Sequence, residues 1–305
     1  MSESASCHIA VLEQEVLNFL NASRGGTYLD CTLGGGGHTR AILASNPENM
    51  VIAVDRDLRA IERTQVKLQQ YSSRLKIVHG EFARVAKSFE SHSFDGILAD
   101  LGLSSDQLAE GRGFSFNDAG PLDMRMNEEQ ELSAASLIND SERPELLRIL
   151  RQGGAEQEAE RAVAAIMRAR PISDTAELAR VLREALAGHY RGKKIDPATV
   201  VFQALRIAVN QELQELETLL ESLPALAKPH ARAVFISFHS LEDRAVAGTM
   251  RRWAQSEFSA NWPGAASAPK PIGKILTRKA VTAAEAELSS NPRSRSAKLR
   301  AFEFN

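Results

Sequence analysis

The sequence predicts an α/β fold: a parallel, doubly wound sheet interrupted after its fourth strand by an all-helical insertion. Three observations carry this. Short apolar runs alternate with helical segments through the first hundred residues, nearly everything from about Ser133 to Glu221 reads as helix, and a strong strand returns only at Ala233-Val234-Phe235-Ile236-Ser237-Phe238. The division implied is a discontinuous core, residues 1–110 and 208–305, around an insertion of residues 111–207, a usual size for a small domain.

In the first stretch, Thr27-Tyr28-Leu29-Asp30, Met50 to Val54, Leu75 to Val78 and Gly96 to Ala99 are short runs rich in Val, Ile or Leu, the pattern of buried strands. His38 to Ser45 and Asp57 to Gln70 separate them as helices, the second with a partial apolar stripe of Leu58, Ile61 and Leu68. Strands and helices alternating at this spacing make βαβ units, so the sheet should be parallel and covered on both faces. The alternation stops after Leu103 in a stretch rich in Gly, Phe and Asp. Breaks at Gly153-Gly154, Pro171 and Pro197 divide the helical region. Lys274 to Thr277 and Lys298 to Phe304 complete the expected strands.

Composition narrows the class. With 305 residues, 43% hydrophobic and 25% charged, the chain has the make-up of a soluble globular protein of one domain plus a smaller module. No apolar run approaches the roughly 20 residues a bilayer requires, and Met1 to His8 has neither the basic cluster nor the apolar core of a secretory signal. A cytoplasmic protein with no membrane partner is expected. Cys7 and Cys31 are too few for a disulfide framework or a Cys-rich zinc site, and no constellation marks a metal. A formal net charge of −2 excludes nucleic-acid binding by overall positive charge, so such contact would need local patches. Between Ala268 and Arg300, eight Lys or Arg stand against two Glu, either a solvated tail or a phosphate-contacting edge. Ser141 to Asp196 holds eleven Lys or Arg against nine acids and is no generic RNA clamp.

Asp30-Cys31-Thr32-Leu33-Gly34-Gly35-Gly36-Gly37-His38 follows the first strand and opens the first helix of that alternation. Glycines let the backbone turn sharply and approach a ligand that a Cβ would push away, and the free N–H groups of the helix favour a carboxylate or phosphate. Asp55 closes the second strand, nineteen residues beyond Gly36, where an acid accepts hydrogen bonds from ribose hydroxyls. Loop and acid together suit an adenosine-containing cofactor, and two classes share that geometry. A dinucleotide fingerprint needs G-x-G-x-x-G/A; starts at Gly34 and Gly35 put Thr39 and Arg40 last, while a start at Gly36 puts Ala41 there, a match that a tetraglycine makes easy. The acid inside the strand, Asp30-x-Thr32-x-Gly34-x-Gly36, is instead the methyltransferase pattern around the methionine end of S-adenosylmethionine, with Thr32 replacing its first glycine. A structural glycine turn is the third reading.

Longer segments run in order along nearly the whole chain. They are His8 to Leu12, Gly34 to His38, Asp55-Arg56-Asp57, His79-Gly80-Glu81-Phe82, Asp100 to Leu108 (DLGLSSDQL), Arg112 to Phe116 (RGFSF), Gly120 to Met126 (GPLDMRM), Phe202 to Asn210, Ile236 to Arg244 (ISFHSLEDR) and Asn291 to Ser296. In these the chain resembles the bacterial 16S rRNA (cytosine-N4)-methyltransferase family known as RsmH or MraW. The resemblance implies a Rossmann-like S-adenosylmethionine-dependent methyltransferase sheet and S-adenosylmethionine as cofactor. It also implies methyl transfer to the N4 exocyclic amine of a cytidine in 16S rRNA, met within the small ribosomal subunit, by a monomer or homodimer. Gly36, Gly37 and His38 would line the methionine end, Asp55 the ribose and Phe82 the adenine, with Asp100 and Gln107 completing the pocket. Read alone, Phe82 suits a core and Gln107 a surface, whereas Asp100, at the carboxyl end of a strand, sits where open α/β sheets bind ligands.

Methylating a cytosine amine is an in-line displacement at a sulfonium methyl. The amine lone pair is delocalised into the ring, so the site must hold that nitrogen, pyramidalise it and accept a proton. Many amino-methyltransferases place Asp/Asn/Ser-Pro-Pro-aromatic after the fourth strand. Here the equivalent four are Asp100-Leu101-Gly102-Leu103: the acid is kept, and a stacking ring must come from Phe114, Phe116 or Phe238. Asp100 and His239 are the catalytic candidates, His239 either orienting the base or receiving a proton, or serving as a hydrogen-bonded structural histidine. Asp123, Arg125 and Arg206 either shape the acceptor pocket or form buried pairs that fix the insertion. The family commonly has His where this chain has Asp196 and Arg-Thr at Val200-Val201, and losing a cation there would weaken or relocate phosphate contact. The helical insertion is the natural substrate-selecting part, and its weak charge suits shape recognition of a folded particle with the target base extruded.

Overall fold

The computed structural model describes residues 10–116, 119–192, 195–255 and 270–305. Cys7, His8, Ile9 and Lys194, used above, lie outside them. The chain divides into two compact units, Met1–Gly102 with Glu215–Asn305, and Leu103–Gln214. These limits differ from the expected 110/111 and 207/208. On the return side the reason is packing: Val209 is still buried in the helical core, while Leu216 is already buried in the sheet's core.

The first unit opens with α1 (Glu13–Leu20), β1 (Thr27–Asp30), α2 (Gly37–Ser45), β2 (Met50–Asp55), α3 (Leu58–Lys67), β3 (Leu75–His79), α4 (Phe82–Ala86) and β4 (Phe94–Asp100). The four strands stand where their apolar runs predict; β1, β2 and β4 are mostly buried, which leaves little room for polar residues, and β3 is a half-exposed edge strand. α3 starts on Asp57, whose carboxylate accepts from the Arg59 and Ala60 amides, satisfying first-turn donors. α1 is not among the elements the alternation predicts; Leu12, Val16 and Leu20 form one buried stripe beside Tyr28, Ile42 and Leu98.

The second unit holds α5 (Ser105–Ala109), α6 (Ala134–Asp140), α7 (Arg143–Gln152), α8 (Ala159–Ala169), α9 (Thr175–Leu186) and α10 (Ala198–Val209). One core running from Leu122 to Val209 closes it. Ser104, Ser133 and Asp174 cap α5, α6 and α9 through their side chains. The break at Gly153 has a packing reason as well as a helix-ending one: a Cβ there would sit 2.4 Å from Ala204 on α10.

α11 (Glu212–Leu226) carries the chain back to β5 (Ala227–Ser237), α12 (Ser240–Ala254), β6 (Gly273–Ile275), α13 (Glu285–Ser290) and β7 (Lys298–Phe304). β5 starts earlier than its apolar run. Phe94 pairs with Ala227, but Gly96 already pairs with Arg232, so Lys228 to Ala231, with Pro229 and positive-φ His230, bulge out of the ladder. The sheet order is β3-β2-β1-β4-β5-β7-β6. β1 to β5 are parallel, and β7 runs antiparallel between β5 and β6. The six-parallel-strand order of dinucleotide folds has no such inserted strand, which counts against the dinucleotide reading of the glycine loop. No helix among the described residues is long and apolar enough to cross a membrane.

Candidate active site

The strand order reverses between β1 and β4, and open α/β sheets bind ligands outside the carboxyl ends of the strands at such a reversal. Asp30, Asp55 and Asp100 end β1, β2 and β4 there. Asp30 is buried and spent on structure: Oδ2 accepts from Thr39 Oγ1 at 2.6 Å and Oδ1 from the Thr32 amide at 3.1 Å. Burial raises its pKa, against those two bonds and His38. Thr32, the residue in place of the pattern's first glycine, accepts the Asp100 amide on Oγ1 at 2.7 Å and so ties the exit of β1 to the end of β4.

The glycine loop is held from both sides. Gly34 donates its amide to Asp55 Oδ2 at 2.7 Å, and its carbonyl accepts from Thr64 Oγ1 at 2.8 Å. Gly36 has φ +77°, and a Cβ there would lie 2.5 Å from Thr64 Cγ2; at Gly37 it would lie 3.0 Å from the Ala10 Cβ. Protein packing thus requires these glycines in addition to the turn and the ligand approach expected from the sequence. Gly36 caps α2 without any side-chain bond, so the first-turn amides of the helix have no side-chain acceptor at the cap and favour an anion.

His38, on the first turn of α2, is 7% exposed, and its Nε2 lies 3.5 Å from Asp100 Oδ2. Neither ring nitrogen has a hydrogen-bond partner, nor does Asp100 Oδ1, and all three atoms are buried. Burial opposes the charged imidazole, but the Asp100 and Asp30 carboxylates outweigh it and move His38 above the ordinary histidine range.

Asp55 Oδ1 accepts the Asp57 amide at 2.9 Å while Oδ2 holds Gly34. Burial nevertheless pushes its carboxyl up to about 6. Gly80, leaving β3, donates to the Asp55 carbonyl at 2.8 Å, which fixes the start of α4 and Phe82 with it. The Phe82 ring packs partly on the core, 6.0 Å from the Arg56 guanidinium. Glu215 buttresses this corner, accepting the Ala83 amide at 3.3 Å and lying 3.7 Å from Arg56. Sequence reasoning missed Thr32, Thr64 and Glu215. The first lies within the glycine motif and was open to reading; Glu215, more than 130 residues from its partners, left no local signal.

His239 caps α12. Its Nδ1 accepts the Glu242 amide at 3.4 Å, Nε2 lies 3.2 Å from Glu242 Oε1, and Glu242 Oε2 accepts the Phe238 amide at 2.9 Å. An Nδ1 that accepts leaves the hydrogen on Nε2, so the neutral ring offers no lone pair for a proton. Phe238 lies beside the β4 exit, 3.2 Å from where a Cβ on Gly102 would stand.

The other expected residues belong to the helical unit. Gln107 is buried and completes the capping box of α5, its Oε1 accepting the Ser104 amide at 2.9 Å. Arg125 forks onto Asp123 (Nε–Oδ1 2.6 Å, Nη2–Oδ2 3.0 Å) and donates Nη1 to the Glu128 and Gln130 carbonyls. Arg206 makes a two-bond pair with Glu212, both at 2.8 Å. Phe114 and Phe116 pack against the helical core, Phe116 edge-on to Phe202. The departures from the family pattern are structural too. Asp196 accepts the Ala198 amide at the start of α10 and pairs with Arg183, Val201 is fully buried, and Val200 packs against the same core.

The chain is similar to known proteins along nearly its whole length. A ribosomal RNA small subunit methyltransferase H from Koribacter versatilis is 45% identical over 304 residues, covering 96% of this chain and 93% of that protein. Its namesake from Trichormus variabilis is 44% identical, covering 99% of this chain and 93% of that protein. The profile of the MraW methylase family matches residues 5–305, and the chain belongs to that family.

Proposed function

We propose that this protein transfers the methyl group of S-adenosylmethionine to the N4 amine of a cytidine in the 16S rRNA of the small ribosomal subunit. The observation that carries the reading is the buried His38–Asp100 pair at the strand-order reversal, with three polar atoms lacking partners. Buried polar atoms are normally bonded, so these mark where a ligand completes the structure. The cofactor's parts fit the residues: its carboxylate the start of α2 and His38, its ribose Asp55, its adenine Phe82. The names of the relatives above support small-subunit rRNA as the acceptor.

S-adenosylmethionine, when bound, supplies an electrophilic sulfonium methyl. The Asp100 carboxylate accepts a hydrogen bond from the target amine, which turns the nitrogen lone pair out of conjugation, and takes its proton. At 23% exposure, Asp100 can pass that proton to water. His38 positions Asp100 from behind. His239 acts as a positioning residue through Glu242, whose carboxylate fixes the Phe238 backbone beside Gly102. Asp123, Arg125 and Arg206 shape the helical unit, which selects the RNA. Of the eight basic residues from Lys270 to Arg300, Lys274 pairs with Glu303, and Lys298 and Arg300 pair with Asp243. Lys270, Arg278, Lys279 and Arg295 are the first candidates for an RNA-facing edge. The protein works in the cytoplasm, where small subunits are.

Tritiated methyl transfer to small subunits, naked 16S rRNA and duplex DNA, followed by nucleoside digestion, tests the reading. N4-methylated cytidine from an rRNA substrate is expected. Label in DNA only, or in no nucleic acid, would overturn it.

A further inference from the structure

A second cleft opens at the other end of the sheet unit. Arg24, Tyr28, Asp95, Arg232, Lys274 and Glu303 line a cavity of about 490 Å³ around the amino ends of β1 and β4, the bulged start of β5 and the last turn of β7. The length of β4 between Asp95 and Asp100, roughly 17 Å at 3.3–3.4 Å per residue, separates it from the His38–Asp100 crevice.

Both carboxylates that line this cavity are engaged by cations. Asp95 Oδ2 takes the Thr27 amide at 2.8 Å and Lys228 Nζ at 2.7 Å. Glu303 takes Lys274 Nζ on Oε1 at 2.7 Å and Arg232 Nε on Oε2 at 2.8 Å; Lys274 first, then Arg232, hold its carboxyl below the usual range. The donors are in surplus. Arg24 has no ion-pair partner, and the Tyr28 hydroxyl no hydrogen-bond partner, among the described residues. Burial, with Asp95 nearby, pushes the Tyr28 phenol up to about 12, so it stays a donor. Lys274 is 68% exposed, leaving ammonium hydrogens for a ligand. Arg24, Arg232 and Lys274 against Asp95 and Glu303 leave one positive charge in excess. The bulge of β5 places His230, at φ +66°, on the cavity wall.

We propose that this cavity binds phosphate, carried either on an RNA backbone or on a small phosphorylated molecule. A pocket with spare donors, engaged carboxylates and net positive charge selects a multiply accepting anion, and its polar lining disfavours an apolar ligand. The site is independent of the methyl-donor crevice and does not rest on the acceptor assignment above.

Inorganic phosphate titrated into the full chain near pH 7.5, followed by calorimetry, tests it. Saturable binding is expected in the parent. It should weaken at least fivefold in an Arg24→Ala, Lys274→Ala double variant, whose two positions are exposed, and measurably in Tyr28→Phe, which deletes one oxygen. S-adenosylmethionine affinity should be unchanged in all three, which verifies folding and separates this test from the methyltransferase reading. A short single-stranded RNA distinguishes the two sources. If the cavity takes backbone phosphate, the slope of log K against log salt falls by about 1 in the double variant. If it takes a small phosphorylated molecule, that slope stays while phosphate binding is lost. No saturable phosphate binding, or equal binding by parent and double variant, overturns the proposal.

Discussion

The candidate residues of the two units are satisfied in different ways. In the sheet unit, His38 and Asp100 hold buried polar atoms that no described residue satisfies. In the helical unit, the candidate residues are closed on one another: Arg125 forks onto Asp123 and Arg206 onto Glu212, while Asp196 accepts the Ala198 amide at the start of α10. A buried polar atom without a partner costs about 1–3 kcal/mol, so a fold retains one where a ligand will complete it. A closed ion pair needs nothing further and shapes the loop it spans. Membership of a shared sequence motif does not separate these two kinds of residue. The hydrogen-bond inventory does.

The most drastic way to break the comparison is to remove one side of it. Each unit has its own core, Leu122 to Val209 in one and strands packed on α1 and α11 in the other. Replacing Leu103–Gln214 with a Gly/Ser linker should abolish rRNA methylation, yet leave S-adenosylmethionine binding within about tenfold, since a flexible linker costs little closure entropy. A smaller cut from Glu129 to residue 194 would strand Ala198, Val201, Phe202 and Leu205 without partners. Methylation by the shortened protein at parental efficiency would show that the sheet unit selects the RNA by itself.

Asp100→Asn comes next. It keeps the size and one acceptor but removes the charge beside His38. Turnover should fall tenfold or more, at least about 1.4 kcal/mol, with S-adenosylmethionine still bound. A folded variant that methylates small subunits at the parental rate would remove Asp100 from the chemistry.

Asp55 gives a pH signature. Its carboxyl is pushed up to about 6 by burial, and a carboxylate accepting ribose hydroxyls is favoured in its charged form. Cofactor affinity should therefore hold above pH 7 and fall as pH drops through 6. At pH 5 it should be about tenfold weaker than at pH 7.5, one pH unit below such a pKa. Calorimetry across this range should find an Asp55→Asn protein weaker and nearly flat. A parent profile that is flat from pH 5 to 7.5 would separate Asp55 from the ribose.

Much of this was written locally in the sequence. β1, β2 and β4 are apolar because most of their residues are buried, and DxTxGxG after a strand located the crevice. What escaped depends on long-range contacts. Thr32 Oγ1 meets the Asp100 amide across 68 residues, and Glu215 reaches Ala83 across 132. The β5 bulge hides in Lys228 to Ala231, where only Pro229 warns that a ladder cannot continue. The capping role of His239 was partly readable, because His239-Ser240-Leu241-Glu242 has the spacing of a capping box, with an imidazole in place of a hydroxyl. Whether Arg125 and Arg206 faced a substrate or a partner acid was open in the sequence, since Asp123 two residues away and Glu212 six residues away suit either reading.

The smallest expected effect lies at that pair. Arg125 holds Asp123 and two carbonyls in a loop where Met124 has φ +60°, so its head group organises backbone. Arg125→Ala should leave Asp123 half-buried without its cation and the Glu128 and Gln130 carbonyls without their donor. With the pair 25% and 23% exposed, water repairs part of the loss, and about 1 kcal/mol of stability should go. That is a fall of a few degrees in Tm for a unit of this size. Arg125→Lys should recover little, because a single ammonium cannot reproduce the fork. S-adenosylmethionine affinity should not move, and kcat/KM on small subunits should fall less than about threefold at a temperature where the variant is folded. Thermal melts and steady-state kinetics on the same preparations decide it. An Arg125→Ala protein that melts like its parent but loses tenfold in kcat/KM would place the guanidinium on the RNA. It would then join Asp100 on the functional side of the comparison.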